Sequence, residues 1–168
     1  MERYSILYSS KTGNTELLAK AIQETLPNED CDYFGSILEN IPESSLLFIG
    51  FWTDKGTADN ESLTLLSKLR NRKIFLFGTA GFGGSDAYFK AILEKIKASI
   101  NQSNTVIGEY RCQGKRPASV KERYLKRKER LDVPKNLDRM IANFDKASSH
   151  PDNRDLDSLK KLVTDIFL

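Results

Sequence analysis

The chain has 168 residues, 39% of them hydrophobic and 10% aromatic, with a net charge of +3. That length and composition suit one globular domain, residues 1–168, with a sizeable core. No window approaches the roughly eighteen consecutive apolar residues of a membrane span. The first residues lack the charged and apolar blocks of a secretory signal, so a cytoplasmic location is expected. The charge is uneven: residues 115–130 hold eight Lys/Arg and two Glu, which is +6, and leave −3 on the remainder.

Short apolar runs alternate with helical patterns through the first 110 or so residues. Strands are expected at 3–8, 31–35, 45–50, 73–78 and 105–111. Tyr4-Ser5-Ile6-Leu7-Tyr8, Leu46-Leu47-Phe48-Ile49-Gly50 and Lys73-Ile74-Phe75-Leu76-Phe77-Gly78 read as strands covered on both faces. Helices are expected at 14–26, 58–71 and 85–100. Leu63, Leu65, Leu66 and Leu69 form one apolar stripe, and Phe89, Ile92, Leu93 and Ile96 another. Such alternation predicts a doubly wound α/β parallel sheet with helices on both faces. After Arg111 the pattern turns helical. A basic helix is expected over 118–131, a second after Pro134 with Leu137, Met140, Ile141 and Phe144 on one face, and a terminal one through Leu156, Leu159, Leu162, Val163 and Ile166. These helices, residues 113–168, are expected against the sheet or on its edge.

In open parallel sheets, ligands bind beyond the carboxyl ends of the strands. Three strand-to-helix junctions stand there. The first holds Ser9, Ser10, Lys11, Thr12, Gly13, Asn14 and Thr15: short hydroxyls and one glycine before the alanine-rich helix Glu16-Leu17-Leu18-Ala19-Lys20-Ala21-Ile22. Backbone amides and the positive end of the helix dipole favour a phosphate at such a place. The second, residues 51–58, holds Trp52, Thr53, Asp54, Lys55 and Gly56. The third holds Thr79, Ala80, Gly81, Phe82, Gly83 and Gly84. Lys11 either adds charge for a phosphate or points to solvent. Asp54 and Asp86 suit helix capping as well as ligand contact, and Asp86 lies near a helix start.

Other chemistry finds little support. His150, the one histidine, sits beside Pro151 in a polar loop and reads as solvated. No His/Cys cluster has metal-ligand spacing, and Cys31 and Cys112 read as free, mostly buried thiols.

Residues 6–22, with Tyr8, Ser10, Gly13, Thr15 and Ala19, resemble the N-terminal signature of the flavodoxin family. The resemblance covers about residues 1–112. It implies a five-stranded sheet in the order 2-1-3-4-5 and non-covalent FMN. Ser10-Lys11-Thr12-Gly13-Asn14-Thr15 would take the FMN phosphate. The Trp52 loop would flank one face of the flavin ring and approach its N5 edge. The third loop would cover the other face, with Phe82 stacking or folding under the loop. The resemblance implies an electron-transfer protein, a monomer without a catalytic residue of its own, that passes single electrons between a reductase and an acceptor. Alternatives are an FMN-dependent NAD(P)H:acceptor (quinone or flavin) oxidoreductase and an interaction module without flavin.

The basic segment departs from that family, whose members are usually acidic. Lys115, Arg116, Lys126, Arg127 and Lys128 suggest an acidic docking surface on a redox partner. Nucleic acid is not expected, since Tyr124 is the only aromatic in residues 115–130. A flavodoxin-like body with basic C-terminal helices is similar to accessory proteins that work with a larger reductase, such as bacterial bilirubin reductases.

Overall fold

A computed structural model describes residues 1–81, 85–130 and 132–168. Its strands are β1 (Tyr4–Tyr8), β2 (Cys31–Ser36), β3 (Leu46–Asp54), β4 (Thr57–Ala58), β5 (Lys73–Ala80) and β6 (Thr105–Gln113). Its α-helices are α1 (Asn14–Thr25), α2 (Asn60–Lys68), α3 (Asp86–Ala98), α4 (Ala118–Lys128), α5 (Leu137–Ala147) and α6 (Asn153–Phe167). Five strands run parallel in the order β2-β1-β3-β5-β6, and β4 pairs antiparallel with β3. With β4 set aside, this is the order the sequence resemblance implied.

Strand residues alternate between two faces, so each strand feeds two cores. Ile6, Phe48 and Phe75 sit side by side in register. They are buried with Leu18 and Ile22 of α1 and with Leu159 and Val163 of α6. Their strand neighbours Leu7, Ile49 and Leu76 face the other way, against Leu65 and Leu66 of α2 and Phe89, Ile92 and Leu93 of α3. Helix α1 repeats Leu18, Ala19 and Ile22 on one side and stops at Leu26, because Pro27 disfavours helical backbone before it.

The terminal helix α6 is thus part of the sheet's own core. Phe167 packs on Phe48 and Phe75, with ring centroids 5.2 and 6.1 Å apart. Helices α4 and α5 instead share a small cluster of Val120, Tyr124, Leu137 and Phe144. Ion pairs Lys121–Asp145 (2.6 Å) and Lys128–Asp138 (3.2 Å) join them. Among the described residues, no helix is long and apolar enough to cross a membrane.

Candidate functional site

The carboxyl ends of β1, β3 and β5 open on one side of the sheet, where a cleft of about 710 Å³ lies. That volume is ordinary for a cofactor site. All three junctions reach it. Lys11, Thr12 and Asn14 come from the first, residues 52–56 from the second, and Thr79 and Gly81 from the third. The last strand and its continuation add Gly114, Lys115, Arg116 and Pro117, while α3 adds Tyr88 and α4 adds Ser119, Val120 and Arg123.

The first junction is built to start a helix. Gly13 takes φ 87°, a left-handed value that costs glycine little. Ser10 Oγ accepts from Glu16 N at 3.4 Å, and Gly13 O accepts from Leu17 N. Helix geometry leaves the amides of Asn14 and Thr15 without intrahelical acceptors. Asn14 is 6% exposed, yet its Oδ1 has no hydrogen-bond partner among the described residues. Thr15 is buried and donates to Phe51 O, which ties the helix start to β3.

The second junction differs from the expected loop. Residues 51–54 continue β3, and the chain reverses at Lys55 and Gly56 to form β4. Both turn residues have positive φ, 52° and 83°, as a tight two-residue hairpin requires. Helix α2 therefore begins at Asn60 rather than 58, capped by Asp59. Asp59 is 2% exposed and accepts from Trp52 N, Ser62 N and Ser62 Oγ. One carboxylate thereby fixes the tryptophan's backbone and starts α2. At the other end of Trp52, Nε1 donates to Ser9 Oγ at 3.2 Å, and Lys11 Nζ lies 5.1 Å from the ring centroid.

At the third junction, Thr79 and Ala80 are buried at the end of β5, and Gly81 lies under Arg116: a side chain at Gly81 would collide with Arg116 Cγ. Phe82, Gly83 and Gly84 lie outside the described residues. Ser85, not Asp86, caps α3, accepting from Tyr88 N at 3.1 Å. Asp86 instead pairs with Arg111 at 3.4 Å.

Ser9, Ser10, Gly13, Thr15 and Ala80 therefore shape the cleft from behind, while the other described candidates line it. The cleft is basic: among the described residues, Lys11, Lys55, Lys115, Arg116 and Arg123 stand in its wall against the single acid Asp54. The sequence suggests Lys115 and Arg116 as part of a docking face. Here they line the cleft, and Arg116 Nη1 donates to Tyr124 Oη at 2.9 Å. Lys128 is paired with Asp138, while Lys126 and Arg127 are exposed on α4 with no ion-pair partner among the described residues.

Two other expectations resolve. Burial pushes the Cys112 thiol far above its usual range, as for an inert core thiol. His150 is half-buried rather than solvated, with Nδ1 2.6 Å from Asp155 Oδ2 at the start of α6. There Asp152 and Asp155 form a capping box. The carboxyl of Asp155 is thus occupied by Asp152 N and His150.

The Flavodoxin domain family matches residues 5–164, well past the stretch that carried the sequence resemblance. The chain belongs to that family. It is 35% identical to the flavodoxin-like domain-containing protein BilS of Clostridium symbiosum over 92% of this chain and 90% of that one. It is 33% identical to BilS of Clostridioides difficile, over 90% and 88%. Among solved structures, a flavoprotein from Lactobacillus acidophilus in complex with FMN shares the fold, with a TM-score of 0.53 and 19% identity over 67% of this chain and 94% of that one.

Proposed function

We propose that this flavodoxin binds FMN non-covalently in the 710 Å³ cleft and carries single electrons between cytoplasmic redox proteins. The observation that carries the proposal is the convergence of three junctions on one cleft with, among the described residues, five cations and one acid in its wall. A phosphate monoester suits that electrostatic balance and the free amides at the start of α1. The unpartnered Asn14 Oδ1 suits a hydroxyl donor such as a sugar chain provides. Both belong to FMN, and the Lactobacillus flavoprotein of the same fold was solved with it.

In this reading Lys11, Thr12, Asn14 and the amides of the first junction hold the phosphate end. Trp52, Thr53, Asp54, Lys55 and Gly56 border the ring on one side, and Thr79, Ala80 and Gly81 on the other, with Ser9, Ser10, Gly13 and Thr15 as the frame. FMN, when bound, would supply the redox chemistry. The protein holds it and sets how much water and charge surround it. Helix α4, tied to the cleft by the Arg116–Tyr124 hydrogen bond, places Ser119, Val120 and Arg123 in its wall.

The test is anaerobic mixing of the FMN-loaded chain with NADPH or NADH alone, followed at the flavin absorbance band. A carrier stays oxidised for minutes and is reduced once a flavodoxin reductase is added. Direct rapid reduction by the nicotinamide would move the protein to the NAD(P)H:acceptor oxidoreductases.

A further inference from the structure

We infer that Lys115, a hundred residues from the first junction, completes the phosphate site as one half of a two-lysine clamp with Lys11. The inference rests on the FMN reading above and adds a ligand that the first junction does not contain. The backbone of Lys115 is pinned to that junction. Its carbonyl accepts from Asn14 Nδ2 at 2.8 Å and from Thr12 Oγ1 at 3.4 Å, and its N–H donates to His150 O at 2.9 Å. The preceding residue is pressed onto the same asparagine, since a Cβ at Gly114 would lie 2.6 Å from Asn14 Nδ2. The following residue, Arg116, is committed to Tyr124. Lys115 is therefore held at the edge of the cleft with its own side chain exposed and in the cleft wall.

Lys11 stands in the same wall, over the face of Trp52. Neither lysine has an ion-pair partner among the described residues. Unpaired cations gathered at one cleft focus its field and favour a doubly charged anion. The same wall holds the nine-tenths-buried Asn14, whose Oδ1 is unpartnered among the described residues while its amide nitrogen serves Thr12 and Lys115. The chemistry selected is a phosphate monoester on a polyhydroxyl chain. Lysine suits the task, as a flexible point charge that follows a phosphate without demanding a fixed fork geometry.

The clamp predicts selectivity for FMN over riboflavin. Apo-protein is titrated with each flavin at low and high salt, for wild type, Lys11→Met, Lys115→Met, Lys115→Arg and Lys126→Met, with folding checked by circular dichroism. Trp52, the sole tryptophan, gives a second signal through its fluorescence. Each Met variant in the cleft should lose about tenfold in FMN affinity at low salt, as a charge-assisted phosphate contact warrants. Riboflavin affinity should not change, Lys115→Arg should restore most of the FMN loss, and Lys126→Met should match wild type. High salt should shrink the difference. Wild-type FMN affinity in Lys115→Met, or an equal loss for riboflavin, would overturn the clamp and leave the FMN site standing. A wild-type chain that takes up neither flavin would overturn both.

Discussion

Asp59 joins the cleft to the fold through three accepted hydrogen bonds, from Trp52 N, Ser62 N and Ser62 Oγ, at 3.2, 3.1 and 2.8 Å. Asp59→Ala would remove the cap of α2 and leave buried donors unmatched. The expected cost is about 2–3 kcal/mol in a denaturant titration, from the lost cap and the unmatched donors. FMN affinity should fall as well, because the backbone of Trp52 loses its anchor; a variant as stable as wild type would contradict this role. The sequence made the tryptophan legible as a planar face but hid Asp59. Asp59-Asn60-Glu61-Ser62 is a helix-start pattern only once β4 is known to end at Ala58. That pairing depends on Lys55 adopting a left-handed φ, which a lysine does not advertise. Arg116 was hidden for a related reason, since its place is set by Gly81, 35 positions away and free of side-chain bulk.

At the scale of elements, the period of the apolar residues made the five parallel strands and the helices against them readable. It did not separate the last three helices by role. Helix α6 packs Leu159, Val163 and Phe167 on the same face as α1, whereas α4 and α5 bury only a few side chains on each other. An amphipathic helix looks alike in both settings, and only long-range contact distinguishes them. The fully buried Leu159 supplies the test. Leu159→Ala should destabilise the whole protein by about 3 kcal/mol, the usual cost of a cavity in a close-packed core. Calorimetry should show one transition shifted down. A change confined to a minor early transition would mean that α6 is peripheral.

For the whole molecule, charge organises behaviour in two ways. Acid stability rests on carboxylates held below their usual range. Hydrogen bonds from Lys73 and Ser45 lower Glu2, Arg3 and Ser44 lower Asp32, and the backbone amide of Asp155 chiefly lowers Asp152. A carboxylate whose folded pKa is depressed stabilises the fold above its unfolded pKa and loses that contribution as pH falls toward the folded value. Unfolding free energy should therefore be level near neutrality and decline below about pH 4, where such groups protonate. A stability that rises on acidification would contradict the assignment.

The second effect concerns partners. Lys126 and Arg127, with no ion-pair partner among the described residues, lie on the exposed side of α4, whose Ser119, Val120 and Arg123 enter the cleft wall. A partner drawn to them arrives beside the cleft. Charge reversal at both positions should slow reduction by the partner at low salt and have little effect at high salt. Equal rates at every salt concentration would leave that face without a docking role.

The most direct measurement is an equilibrium titration of the apo-protein with FMN, followed by flavin and Trp52 fluorescence together. Saturation is expected at one FMN per chain, with the flavin and the single tryptophan quenched in parallel. FMN fluorescence that remains that of the free flavin, with the tryptophan signal unmoved, would contradict it.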